Sequence, residues 1–257
     1  MMKIIDVDKL FEDYFTQYVN KNKGKFTAEE WEDRVPVLYE KFSNTAFDAL
    51  DGKTPETYYR EVSSNDLISV FLSHIEKGVP VSDFLLREIS KRGDTEKVVS
   101  LINENNSDEI ISYALSFLSD LGGDKANETY LKVLKGNFAD EHKEHATELL
   151  SEVADNVKEE ILSLYGTNEI LDDYLVEIIS KMKIDDRATK ILIDGFNSHP
   201  EKTALYSAYL AKYGDERAIP YILNRVQSTV DKADLKELKY ALDALGYEGG
   251  ETNRIIH

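Results

Sequence analysis

The chain has 257 residues, 42% hydrophobic and 31% charged, with a formal net charge of −18 from 31 basic and 49 acidic side chains. That excess of carboxylates argues against a nucleic-acid backbone or an anionic membrane as ligand, because either needs clustered lysine and arginine, and leaves a basic or neutral protein partner as the charge-compatible one. The absence of cysteine excludes a disulfide framework, a thiol nucleophile and a thiolate metal site.

The first residues, MMKIIDVDKLFEDYF, carry acids early and have no continuous apolar run, unlike a signal peptide. No stretch approaches the ~20 apolar residues that span a bilayer. A soluble, cytoplasmic and monomeric protein is the expectation.

Taken in order, residues 6–22 read as a helix with Leu10, Phe11, Tyr14, Phe15, Tyr18 and Val19 as an aromatic core stripe. Asn20 to Lys25 form a polar turn. Thr27 and Glu30 form a capping box, and Trp31, Val35, Leu38, Phe42, Ala46 and Leu50 continue at helical spacing, with Pro36 expected to kink or split the helix. Thr54 caps a further segment with Pro55 at its first position and Tyr58 and Tyr59 following. Residues 1–62 read as a helical cap on the remainder of the chain, or as a small module. Asn65 to Lys77 form a helix ended by Gly78.

A repeat then begins. Equivalent turns fall at Glu96, Lys125, Asn156, Arg187 and Arg217, at intervals of 29, 31, 31 and 30 residues. One residue after the reference stand Lys97, Ala126, Val157, Ala188 and Ala218. Five after it stand Leu101, Tyr130, Ile161, Leu192 and Ile222, six after it Ile102, Leu131, Leu162, Ile193 and Leu223, and nine after it Asn105, Leu134, Tyr165, Phe196 and Val226. These offsets place the apolar side chains on one helix face. Seven before it stand Ile89, Leu118, Leu149, Ser180 and Leu210, the serine suggesting a one-residue shift. Gly93, Gly122 and Gly214 are expected to end helices in the left-handed conformation, and Asp94, Asp124 and Asp215 to cap the next helices. The predicted helix pairs run 81–92 with 95–104, 107–121 with 124–135, 139–153 with 155–165, 168–182 with 185–197 and 200–213 with 215–229. Helix 232–245 closes the array, and residues 248–257 form a tail, poorly ordered from Gly249 to His257.

The fold class is therefore all-α, an α-α superhelix of about five helix pairs over residues 63–247 behind a helical N-terminal cap. LAKYGDERAIPYIL and LGGDKA resemble HEAT-like repeats of the short, phycobilin-lyase-related type, over residues 81–246. The resemblance implies an interaction scaffold whose second helices line a concave face. On that basis Asn127, Lys132, Glu159, Lys190, Tyr221, Asn224 and Arg225 would face a partner.

No catalytic, cofactor-binding or metal-ligating set emerges. His142 and His145 stand three apart among Glu141, Glu144 and Glu148, but two imidazoles on a charged helix do not make a metal site, and a solvated face is the expectation. His74 and His199 are isolated. Asp172-Asp173 and Asp185-Asp186 are adjacent and point apart on a helix, poor geometry for an acid/base pair. Among the fifteen tyrosines, Tyr206, Tyr209, Tyr213 and Tyr221 cluster in the best-formed repeat, and Tyr221 lies off the core face. The expected function is a non-enzymatic scaffold for a protein or peptide. The alternative is a small-molecule or enzymatic pocket where the N-terminal region meets the first repeat, lined by Trp31, Tyr58 and Tyr59.

Overall fold

A computed structural model of the chain describes residues 3–249; the tail, apart from its first residues, lies outside them. Two compact units divide it, Met1–Ala126 and Asn127–His257.

The first unit contains α1 (Val7–Lys21), α2 (Ala28–Glu32), α3 (Val35–Ser43), α4 (Pro55–Tyr58), α5 (Ser64–Lys77), α6 (Asp83–Arg92), α7 (Thr95–Leu101) and α8 (Asp108–Leu121). Asp6 caps α1 by accepting from the Lys9 backbone N–H, and Thr27 and Glu30 complete the capping box of α2. The apolar pattern from Trp31 to Leu50 is not one helix. The chain breaks after α2, and Pro36 sits in the first turn of α3, where its missing N–H has no intrahelical partner to lose. The helix ends at Ser43 and Ala46 is exposed outside it. Phe47 instead pairs with Lys53 in an isolated bridge around the 3-10 turn Asp48–Leu50. The aromatic stripe of α1 meets α3, with Phe11 5.2 Å from Phe42 and 5.0 Å from Tyr39 between ring centroids. Tyr39 in turn stacks on Phe84 of α6 at 5.9 Å. Arg92 of α6 donates to the carbonyls of Val62 and Tyr59 at 2.7 and 2.9 Å, tying the N-terminal segment to the first helix pair.

Helix α9 (Asp124–Lys135) crosses the division. The second unit holds α10 (Asp140–Glu152), α11 (Lys158–Leu164), α12 (Glu169–Ile179), α13 (Asp186–Ser198), α14 (Thr203–Tyr213), α15 (Ile219–Ser228) and α16 (Lys232–Ala244). No strand occurs among the described residues. Each unit carries the packing of an α-α superhelix, helix against the next and against the next but one. Thus α6 and α7 both lie on α8, α10 and α11 on α12, and α14 and α15 on α16.

The repeat columns explain that packing. Leu101, Tyr130, Ile161, Leu192 and Ile222, five after each turn, are all buried. The column six after is half right: Ile102, Leu131 and Ile193 are buried, while Leu162 and Leu223 are only partly covered. In the first repeat Val98 takes the buried place next to the turn, and Lys97 reaches away to the Asn65 carbonyl. Gly214 ends α14 in the left-handed conformation at φ 77°, as the turn chemistry requires. Gly93 does not, with φ −60°. It is needed for closeness instead, because a Cβ there would lie 2.6 Å from the Ile89 carbonyl oxygen.

Candidate interaction surfaces

The polar side chains of the repeat turns are occupied by structure. Asp215 accepts from the Arg217 backbone N–H at 3.0 Å and from its guanidinium at 2.7 to 3.0 Å, while the Thr189 hydroxyl donates to it at 2.6 Å. Arg217, hydrogen-bonded foremost, holds the Asp215 carboxyl down at about 2. The same arginine reaches Asp186 of the preceding repeat at 2.7 Å. One repeat earlier, Arg187 grips Asp185 and forks onto Glu159 at 2.7 and 2.9 Å. Asp185, also 3.2 Å from Lys158, is held well below the usual carboxylate range, with Arg187 as the main cause. In the first unit Lys125 meets Glu96 at 3.0 Å. A basic residue at the reference position thus reaches back to an acid of the repeat before. Tyr213 completes the turn of α13, accepting from the Asp185 N–H at 2.7 Å and donating to its carbonyl at 3.0 Å.

Two residues of the expected partner-facing surface have partners within the chain. Glu159 is exposed and paired to Arg187. Arg225 lies 4.8 Å over the Phe196 ring and donates to the Phe196 carbonyl at 2.8 Å and the Thr203 hydroxyl at 2.9 Å, closing the carboxyl end of α13 where a cation is favoured. Asn127 is half-buried. Lys132, Lys190, Asn224 and Tyr221 are exposed, but none of them lines the clefts beside α5, between α10, α12 and α14, or at Lys135 and Asn168.

His142 departs from the solvated face expected of it. It is 1% exposed, because it shares a stripe with Ala146 and Leu150, which α10 buries. His145 is half-exposed. No group of three or more histidine, aspartate or glutamate side chains suited to a metal ion occurs among the described residues.

The second unit opens a cleft of about 370 Å³ between α10, α12 and α14. Glu144 and Glu148 stand one turn apart on α10, as do Asp173 and Glu177 on α12, so all four carboxylates border one space. Its apolar side comes from Tyr174, Tyr209 and Leu205, the last 46% exposed. The one cation of the lining, Lys202, is held by Asp173 at 2.6 Å. Burial, with Glu177 and Asp173 adding to it, pushes the Tyr209 phenol up to about 12. A neighbouring cleft of about 300 Å³ lies between Lys135, Lys143, Asn168 and Ile170.

The sequence reading does not single out the carboxylate cleft, although a signal exists. Glu144 and Asp173, and likewise Glu148 and Glu177, are each 29 residues apart, so one acid pair recurs on successive first helices. Of the cluster Tyr206, Tyr209, Tyr213 and Tyr221, the structure puts only Tyr209 in this cleft. Tyr206 is buried, stacked 5.8 Å from His199, and Tyr213 serves the turn of α13.

In the first unit a larger open cleft of about 750 Å³ runs between α5 and the chain at Ile4, Lys53 and Tyr58 to Ser63. Of the three aromatic residues expected to line a pocket here, only Tyr58 does so. Tyr59 is 1% exposed, and Trp31 packs against Phe15, Tyr18 and Phe26.

The chain matches no known family model, no curated protein and no solved structure. Its class rests on the fold: an all-α protein built from packed helix pairs.

Proposed function

We propose that the chain is a non-enzymatic interaction scaffold of the HEAT-like kind, and that it takes a protein segment in which lysine or arginine alternates with apolar side chains. The observation that supports this reading is the cleft of the second unit. Glu144, Glu148 and Glu177 border it with no cation paired to them among the described residues, next to the open Leu205 and the half-covered Tyr209. Cationic side chains would meet the carboxylates, and an apolar one would cover Leu205 and Tyr209. Aromatic and apolar anchors supply most of the affinity in such contacts, while rim charges set approach and orientation. The net charge of −18 steers a basic partner inward from a distance.

Affinity capture from a cell lysate at low and at moderate salt, with the native chain and a Glu144→Gln/Glu148→Gln/Glu177→Gln variant, tests this. A partner that the native chain keeps at moderate salt and the variant loses supports the reading. Identical capture by both removes the cleft from it.

A further inference from the structure

The smaller cleft of the second unit has the opposite sign to the acidic one beside it. Lys135 and Lys143 both border it, and its lining contains no acid. Neither ammonium makes an ion pair or hydrogen bond among the described residues, in a chain where 49 acids face 31 bases. Tyr174 spends its hydroxyl elsewhere, on Asp140 at 3.2 Å. Lys135 closes the carboxyl end of α9, where a cation is favoured. Lys143 has no such reason, since it is the fourth residue of α10, at the end where the helix dipole favours acids. The apolar part of the lining is open as well. Ile170 is 71% exposed, and Leu164 and Tyr174 are half-covered. A volume of about 300 Å³ stands at the small end of the ligand-pocket range, and it suits one side chain of a larger partner better than a separate molecule.

The two clefts adjoin, with Tyr174 lining both. Along α12, Ile170 borders the basic cleft and Glu177 the acidic one, seven residues apart. At 1.5 Å per residue that is about 10 Å, which an extended segment covers in about three residues. We propose that the basic cleft seats an aspartate or glutamate side chain of the same partner segment, about three residues from the lysine or arginine that enters the acidic cleft, with an apolar side chain on Ile170. The argument is charge complementarity that changes sign along one continuous surface. The inference rests on the scaffold reading and adds to it the register of the bound segment, because a segment shifted along α10 and α12 sets like charges against each other at both ends.

The test uses the full chain and two fluorescein-labelled peptides, read by fluorescence anisotropy at moderate salt. Both carry an alternating lysine and leucine tract. One has a glutamate three residues beyond each end of the tract, and the other has glutamine in those places. Overall attraction to a chain of charge −18 favours the glutamine peptide, which is the more positive. The glutamate peptide should nevertheless bind about fivefold more tightly, as one or two partly exposed ion pairs allow. Lys135→Gln/Lys143→Gln should abolish that preference, with an unchanged melting transition and with binding of the glutamine peptide kept. Glu144→Gln/Glu148→Gln/Glu177→Gln should weaken both peptides. A native chain that binds the glutamine peptide equally or better, while the glutamate-to-glutamine variant still weakens both, would overturn the acid seat and leave the scaffold reading standing. A preference for the glutamate peptide that survives in the lysine variant would overturn the assignment to this cleft. A native chain that binds neither peptide would overturn both readings.

Discussion

Asp215→Asn separates the charge of the repeat turn from its shape. Asparagine is as good an N-cap as aspartate, so the cap onto the Arg217 N–H survives and only the carboxylate is lost. The native carboxyl sits at about 2 against an ordinary 3.8. At about 1.4 kcal/mol per pH unit of displacement this amounts to roughly 2.5 kcal/mol. Half of the Arg217 side chain is in solvent, and screening there reduces the figure to about 1–2 kcal/mol. The sign follows from linkage. The folded carboxyl is the more acidic, so its contribution is complete above 3.8 and is lost as pH falls through 2. Urea denaturation of both proteins should therefore give a gap of about 1–2 kcal/mol at pH 7, equivalent to roughly 2–8 °C in melting temperature for a chain of this size. At about pH 3 the gap should have fallen to roughly half. A variant as stable as the parent at pH 7, or a gap that does not change with pH, would refute the claim that this ion pair holds the turn.

Two further substitutions probe the packing. Ile222→Ala should cost about 2–5 kcal/mol, since the side chain is fully buried, whereas Leu223→Ala beside it, half-covered, should cost about 1 kcal/mol or less; equal losses in urea denaturation would show that the register of α15 is wrong. Gly195→Ala should destabilise by about 1–3 kcal/mol despite alanine's better helix propensity. Its Cβ would lie 2.4 Å from Tyr206, whose ring is fixed against His199, and a variant that melts like or above the parent would show that this contact relaxes freely.

The helices and the buried column at Leu192 and Ile222 are legible because local rules and packing agree there. Glycine or aspartate at a turn and apolar residues five places on carry their meaning without knowledge of the neighbouring repeat. Elsewhere the deciding partner lies a repeat away, and spacing does not reveal it. Arg225 and Glu159 look like free surface residues until the Phe196 carbonyl and Arg187 are seen beside them. His142 looks solvated among glutamates, yet its position relative to Ala146 and Leu150 turns it inward. Gly93 illustrates a different limit: glycine is required there, but the reason is contact with the Ile89 carbonyl, not a left-handed φ. The acidic cleft needs three helices to be brought together. In the sequence alone, its carboxylates read only as adjacent or solvated charges.

Cross-linking mass spectrometry of a captured partner, with a lysine-reactive reagent, addresses the function most directly. Lys143 and Lys202 border the clefts of the second unit, whereas Lys132 and Lys190 belong to the second helices of their repeats. Cross-links concentrated at Lys143 and Lys202 are the expected result and would place the partner along α10, α12 and α14. Cross-links concentrated at Lys132 and Lys190, with Lys143 and Lys202 unmodified by the partner, would contradict it and return the binding surface to the opposite helices.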